Sequence, residues 1–203
     1  LLSDIELSRD ELADMAAGGL LMEIASRPLP RDLAVKPASP MAQMSAVVLA
    51  AGQSRRMGKI NKLTAVVAGK PVIRHVVDTV LEAGFKDIVV VLGYDEKAVS
   101  ACLEGLPVRF VKNEAFRSGQ ASSVSAGIAA LNNNVSDVMV VLGDMPLLSA
   151  ALLNNLHHHH MRNPQHEQMI SLPVCLKDRE RQVGHPVICC LLYTSPSPRD
   201  VRS

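Results

Sequence analysis

Short apolar runs alternate with amphipathic stretches along most of the chain after residue 45. Runs rich in Val, Ile and Leu predict buried strands at 46–49, 88–92, 108–111 and 138–142. Apolar residues at helical spacing predict the intervening helices, near 71–83, 95–103, 121–131 and 149–159. This alternation predicts a three-layer α/β/α sandwich around a mostly parallel, doubly wound sheet. In such sheets, ligands bind beyond the carboxyl ends of the strands.

Composition narrows the class of protein. The 203 residues, 48% of them hydrophobic, suffice for one ordinary domain and a short appendage. With 21 basic and 20 acidic residues the net charge is +1, which indicates neither nucleic acid nor an anionic membrane as a partner. An aromatic content of 2% argues against a platform for stacking bases. These values favour an enzyme that acts on small molecules.

The cysteines and apolar runs bear on location. Four Cys without CxxC spacing, in a chain of this length, predict reduced thiols. No apolar run approaches the roughly 18 to 20 residues needed to span a bilayer. We therefore expect a cytoplasmic protein.

The segment 47–62, VVLAAGQSRRMGKINK, has the composition of an anion-binding loop. It joins an apolar strand to Gly52, where the backbone can turn without a Cβ, and then to several cationic side chains. A Walker A motif is excluded because five residues separate Gly52 from Gly58 and Ile60 stands where a hydroxyl is needed. GxGxxG is absent, so the dinucleotide-binding fingerprint is missing as well.

Two motifs carry a resemblance to a known family. LAAGQSRRMGKINKL at 49–63 is similar to the signature LAAGxSxRMGxxNKL of the molybdopterin nucleotidyltransferase-like family, and LGDMPLL at 142–148 is similar to its second motif. The resemblance runs from Ser45 to about Ile188 and implies a nucleotide-diphospho-sugar transferase-like fold. The implied activity is transfer of CMP from CTP to molybdopterin, with release of pyrophosphate. LAAG at 49–52 favours CTP, since guanylyl-transferring relatives usually carry LAGG.

The resemblance assigns three catalytic residues. Nucleotidyl transfer needs cations, backbone donors and Mg²⁺ to hold two polyanions together and to neutralise developing charge. Lys62 is expected on the triphosphate and Arg56 in a forked contact with phosphate oxygens. Asp144, after an apolar strand, is expected to bind Mg²⁺. Its alternative role is to cap the following helix.

Other residues are implied in binding. The nucleotide-binding set is Leu49, Ala50, Ala51, Gly52, Ser54, Arg56, Gly58, Lys62, Asn113, Gly119, Ser122 and Ser123. Ser122 or Ser123 is expected to cap a helix whose N-terminus faces the ligand, and a plain capping role is the alternative. GHPV at 184–187 resembles a late motif near the acceptor, which makes Gly184, His185 and Pro186 candidate substrate contacts. A polar turn before a strand is the alternative there.

Both ends of the chain differ from its centre. Residues 1–44, a helical piece followed by a Pro/Ala/Ser linker, resemble the tail of a molybdopterin-binding domain fused ahead of this transferase in some bacterial proteins. An ordinary helix and linker is the alternative. CLLYTSPSPRD from Cys190 coincides with one translation of a transposon-end adapter used in sequencing libraries. We therefore expect residues 190–203 to be an artefact and the transferase domain, 45–189, to be truncated.

The histidines at 157–160 continue a helical pattern. His166 completes no zinc motif with them, so we expect a solvated helix end.

Two other functions stay open beside the implied one. The first is a sugar-phosphate nucleotidyltransferase, which shares the fold and a related Gly-rich loop. The second is a nucleotide-binding module without turnover. The expected partners are CTP or GTP and molybdopterin, with delivery of the product to molybdoenzymes as a further expectation.

Overall fold

The computed structural model describes residues 44–53, 61–132, 135–162, 170–177 and 180–191. The strands are β1 (Met44–Ala50), β2 (Val66–Val67), β3 (Lys70–Pro71), β4 (Ile88–Leu92), β5 (Arg109–Lys112), β6 (Asp137–Leu142), β7 (Ile170–Ser171), β8 (Val174–Lys177), β9 (Glu180–Val183) and β10 (Val187–Cys190). The helices are α1 (Val72–Glu82), α2 (Glu96–Ala101), α3 (Gln120–Ala129) and α4 (Ala150–Arg162), with a 3₁₀ turn at Phe116–Ser118. The predicted domain boundaries at 45 and 189 stay predictions, since residues 1–43 and 192–203 lie outside the described ranges.

The main sheet has the strand order β5-β4-β1-β6-β10-β7. Strand β1 pairs in parallel with β4 and β6, so that Val47 lies opposite both Val89 and Val140. Strand β5 extends the parallel set beside β4, whereas β10 runs antiparallel to β6 and β7. The mostly parallel α/β fold predicted from the sequence is therefore confirmed.

Alternating residues of β1 supply two hydrophobic cores, one on each face of the sheet. Ala46 and Val48 belong to the core that α1 and α4 cover, whereas Val47 and Leu49 belong to the core beneath α3. All of β1 is buried, as expected for a central parallel strand. Helix α3 packs closely against β1, since a Cβ on Gly127 would stand 2.3 Å from Val47 Cγ1.

The hairpin β2–β3 was missing from the sequence prediction because each strand has only two residues. Its turn has positive φ angles at Ala68 (48°) and Gly69 (80°), a combination that suits two-residue hairpins. Pro71 ends this hairpin and is the N-cap residue of α1. The helix therefore begins one residue later than the sequence pattern predicted. Among the described residues, no helix is both long enough and apolar enough to cross a membrane.

Candidate active site

A cleft of about 450 Å³ opens where β1 and β6 end and where α3 begins. Its lining residues are Leu49, Ala51, Gly52, Gln53, Lys62, Leu63, Phe116, Arg117, Gly119, Gln120, Ser123, Leu142 and Asp144. The loops that follow β1, β5 and β6 all contribute to it. The cleft thus lies beyond the carboxyl ends of the strands, where this class of sheet binds ligands.

Most of the predicted site residues that the structure describes meet at this cleft. Those in its lining are Leu49, Ala51, Gly52, Lys62, Gly119, Ser123 and Asp144. Ala50 is fully buried in β1, and neither Asn113 nor Ser122 is a lining residue. Ser54, Arg56 and Gly58 lie outside the described residues, so their roles stay predictions.

Lys62 and Asp144 form an ion pair at the cleft, from Nζ to Oδ2. Their side chains are 33% and 30% exposed, so solvent and ligands reach both. The backbone beside Lys62 is fixed by Asn61, whose Oδ1 accepts a hydrogen bond from the Leu63 N–H at 3.1 Å. The structure therefore holds a cation and a carboxylate together on one wall of the cleft.

Asp144 is placed by a close approach of β6 to β1. The Gly143 N–H donates to the Leu49 carbonyl at 2.9 Å, and a Cβ on Gly143 would stand 2.8 Å from that oxygen. Asp144 does not cap α4, because that helix begins at Ala150 and the Ser149 hydroxyl accepts from the Leu152 N–H at 3.3 Å. The capping alternative for Asp144 is therefore excluded.

The other wall of the cleft is the start of α3. This helix begins at Gln120, and its N-cap residue, Gly119, has a φ of 125° that a residue with a side chain rarely adopts. Ser122 and Ser123 lie inside the helix, and no side chain in the described part of the chain caps it, so the predicted serine cap is wrong. Because Gly119, Gln120 and Ser123 line the cleft, this end of α3 can face a nucleotide.

Asn113 reaches both serines from the end of β5. Its Nδ2 donates to Ser122 Oγ and to Ser123 Oγ, each at 2.9 Å, and its Oδ1 accepts from the Ala115 N–H at 2.9 Å. The side chain is 5% exposed. Asn113 therefore braces the α3 wall from within, and its predicted role in nucleotide binding stays a prediction.

Sequence reasoning missed Phe116 and Arg117, which both line the cleft. The Arg117 guanidinium carbon lies 5.7 Å from the centroid of the Phe116 ring, within range of a cation–π contact. Phe116 packs so closely on Gly93 that a Cβ there would stand 2.8 Å from Phe116 Cβ. The chain has only 3 Phe, and the rarity of this residue type was the sequence signal that could have drawn attention to Phe116.

The late motif adds nothing to the described cleft lining. The Gly184 N–H donates to the Pro173 carbonyl at 3.0 Å, and Pro186 is buried. Burial lowers the pKa of His185, while the charge of Asp144 acts in the opposite direction. His185 Nδ1 is buried and has no hydrogen-bond partner in the described part of the chain. The acceptor role of this motif stays a prediction.

The histidine run is not the solvated helix end that the sequence predicted. His157 is 5% exposed and His160 is fully buried. His160 Nε2 lies 3.2 Å from Asp137 Oδ1, and its Nδ1 lies 2.8 Å from Ser171 Oγ. The prediction failed because the end of α4 packs against the start of β6 and against β7. Groups of three or more metal-ligating His, Cys, Asp or Glu residues are absent from the described ranges.

Comparison with known proteins agrees with this architecture. The sequence pattern of the family described as MobA-like NTP transferase domain matches residues 46–199. The Bifunctional protein GlmU of Syntrophomonas wolfei is 36% identical over 132 residues, which are 64% of this chain and 29% of that protein. The chain thus spans less than a third of the length of this curated relative.

Solved structures show the same fold. A nucleotidyl transferase from Methanothermobacter superposes with a TM-score of 0.62 at 27% identity, covering 74% of this chain and 73% of that one. A 4-diphosphocytidyl-2C-methyl-D-erythritol synthase from Anaerococcus prevotii superposes with a TM-score of 0.56 at 20% identity, covering 73% and 70%. The second likeness, at that identity, speaks for the fold alone.

Proposed function

Because the chain belongs to the MobA-like NTP transferase domain family, whose members are nucleotidyltransferases, we propose that it transfers a nucleoside monophosphate from a nucleoside triphosphate to a phosphorylated acceptor. The observation that carries the proposal is the Lys62–Asp144 ion pair, beside Gly52 in a cleft at the strand ends. In the proposed reaction an acceptor phosphate oxygen bonds to the α-phosphorus. The bond from that phosphorus to the bridging oxygen breaks, and pyrophosphate leaves with the electron pair.

Lys62 supplies a mobile positive charge in this scheme. Without ligand, the Asp144 carboxylate neutralises its ammonium group. A bound triphosphate presents more negative oxygens, and the flexible Lys stem lets the ammonium move to them while Asp144 remains nearby. The role of Lys62 is to offset the charge that grows on the leaving pyrophosphate, and the start of α3 orients the rest of the nucleotide.

Asp144 fits a Mg²⁺ ion. One of its oxygens, Oδ2, meets Lys62, while Oδ1 accepts no hydrogen bond from any described residue. Mg²⁺ is commonly held by one or two carboxylates together with substrate phosphates and water. A single, partly exposed carboxylate in the cleft is therefore an adequate contribution from the protein. Mg²⁺ held there would polarise phosphoryl oxygens. We therefore retain Mg²⁺ as the proposed cofactor.

A sugar or polyol phosphate is the better supported acceptor. A protein with the same fold is named for making a diphosphocytidyl polyol, and we take this acceptor class as the first to test. A relative that is 36% identical over 132 residues is named Bifunctional protein GlmU, and this name does not refer to molybdopterin. Molybdopterin is the second candidate, supported by the motifs at 49–63 and 142–148.

A pyrophosphate-release assay tests the proposal. The protein is incubated with Mg²⁺ and each of CTP, GTP, UTP and ATP, together with sugar 1-phosphates, polyol phosphates or molybdopterin. Release that requires both a nucleotide and an acceptor supports transfer, and mass spectrometry of the product identifies the acceptor. Nucleotide binding without release under every combination would instead favour a binding module without turnover.

A further inference from the structure

Asn113 is held in one orientation by the backbone. Its own N–H donates to the Leu92 carbonyl at 2.8 Å, and its Oδ1 accepts from the Ala115 N–H at 2.9 Å. A backbone N–H can only donate, so the atom that it meets must be the amide oxygen. The Nδ2 group is thereby fixed as a donor that points towards Ser122 and Ser123.

The two serines receive equal hydrogen bonds from Asn113 but use their own protons differently. Ser122 Oγ lies 2.8 Å from the Gly119 carbonyl and 3.0 Å from the Ala115 carbonyl, so its proton is directed to the backbone. The Ser123 hydroxyl donates to no residue in the described part of the chain. Ser123 lines the cleft and is 5% exposed, whereas Ser122 is not a lining residue.

We infer that Asn113 is a positioning residue, which holds the Ser123 hydroxyl as a hydrogen-bond donor towards an acceptor atom on the nucleobase. The inference rests on the proposed function and specifies its nucleotide subsite. Asn113 occupies an acceptor site of Ser123 Oγ, which leaves the hydroxyl proton available to the cleft. A carbonyl oxygen or an unprotonated ring nitrogen of a base is the matching partner.

The sheet order explains why the base, and not the triphosphate, meets Ser123. Asp144 follows β6 on one side of β1, whereas Asn113 follows β5 on the other side, with β4 between. The phosphates belong with Lys62 and Asp144, so the opposite end of the nucleotide lies at the α3 wall. The almost complete burial of Ser123 limits contact to a single closely approaching atom.

Two serine variants form a matched pair for the test. Ser123→Ala removes the hydroxyl that Asn113 contacts in the cleft lining, whereas Ser125→Ala removes an exposed hydroxyl of the same helix that does not line the cleft. The measurement is calorimetric affinity of the full chain for whichever of CTP, GTP, UTP and ATP binds best, with the thermal midpoint of unfolding alongside. We expect Ser123→Ala to weaken binding about tenfold and Ser125→Ala to change it less than twofold.

Asn113→Asp tests the positioning role directly. The variant keeps an oxygen for the Ala115 N–H but replaces the Nδ2 donor with an acceptor, which draws the Ser123 proton away from the cleft. We expect about tenfold weaker binding, a rise in the KM for the nucleotide larger than any fall in kcat, and no further loss when Ser123→Ala is added.

The possible outcomes separate the two levels of the proposal. A wild-type chain that binds none of the four nucleotides would overturn both the proposed function and this inference. A wild-type chain that binds a nucleotide, with equal losses in Ser123→Ala and Ser125→Ala, would overturn the inference alone. Additive losses from Asn113→Asp and Ser123→Ala would likewise show that Asn113 does not act through Ser123. Where Asn113→Asp lowers the thermal midpoint, the two serine variants still test whether Ser123 contacts the nucleotide.

Discussion

Lys62 and Asp144, which are 82 residues apart in the chain, form an ion pair at the cleft. An ion pair with side chains 33% and 30% exposed contributes only about 0–1 kcal/mol to folding, because water screens both charges. The fold nevertheless brings the two together through the adjacent ends of β1 and β6. The pair is therefore better explained by ligand binding than by stability.

We expect Lys62→Ala to lower kcat/KM for pyrophosphate release by about 10²–10³-fold, the usual cost of removing a group that stabilises developing charge. The free energy of unfolding should change by about 1 kcal/mol or less. Lys70→Ala is the matched control, since Lys70 pairs with Asp78 on α1 and does not line the cleft. Equal rates for the two variants would contradict the assigned role of Lys62.

Asp144→Asn should raise the Mg²⁺ concentration needed for half-maximal rate by about tenfold and should lower kcat by about 100-fold, because the amide keeps the shape but loses the charge that binds the metal. The readout is a Mg²⁺ titration of pyrophosphate release. Asp78→Asn removes a carboxylate that pairs with Lys70 and Arg74 away from the cleft, and it should leave the titration unchanged. An unaltered Mg²⁺ response in Asp144→Asn would exclude it as a metal ligand.

The parallel strands of the sheet could be predicted because each of them is an apolar run that is visible in the local sequence. Four apolar runs coincide with β1, β4, β5 and β6 to within two residues at each end. The antiparallel strand β7 was not predicted, since a strand of two residues carries too little pattern, and β10 was anticipated only as the strand after the alternative polar turn at 184–187. Strand β10 is placed by pairing with β6, and β7 by pairing with β10, and composition does not encode these tertiary contacts.

The site was predictable where a motif fixed it and not where packing did. Lys62 and Asp144 follow from the two motifs, and the structure brings them together. Phe116 lies in a 3₁₀ turn of three residues, which has no periodicity to read. The buried state of His160 depends on Asp137 and on a short strand distant in sequence, so the polar character of the run was misleading.

Two glycines of the cleft region should respond differently to a methyl group. In Gly143→Ala the new Cβ would stand 2.8 Å from both the Leu49 carbonyl oxygen and Ile73 Cδ1, so we expect a loss of about 1–3 kcal/mol in the free energy of unfolding. No atom of the described residues lies within 4 Å of such a Cβ on Gly52, and Gly52→Ala should change stability by about 0.5 kcal/mol or less.

Gly52→Ala should also change the affinity for the nucleotide. Gly52 lines the cleft, so its added methyl group should hinder the approach of a ligand to the backbone and weaken nucleotide binding about tenfold. Urea denaturation and calorimetric binding on the same samples measure both quantities. Similar losses of stability in the two variants would show that the loop at Gly52 is more tightly packed than the structure indicates.

His157 should make stability depend on pH. Burial, followed by the charges of His160 and His158, lowers the pKa of His157, and Asp137 opposes them more weakly. Since an unfolded histidine titrates near about 6.5, the unfolded chain takes up a proton first as the pH falls. This contribution to the free energy of unfolding is therefore present above about pH 6.5 and is lost as the pH falls through the lower, folded value.

Urea denaturation at about pH 7.5, 6.5 and 5.5 measures the effect of His157, whose contribution to the slope cannot exceed about 1.4 kcal/mol per pH unit. We expect His157→Gln to lose stability less steeply than the wild type between the two lower pH values, because its side chain takes up no proton. His159→Gln is the control, since His159 is exposed on the same helix. A wild-type slope in His157→Gln, or a reduced slope in His159→Gln as well, would show that burial of His157 is not the source of the pH dependence.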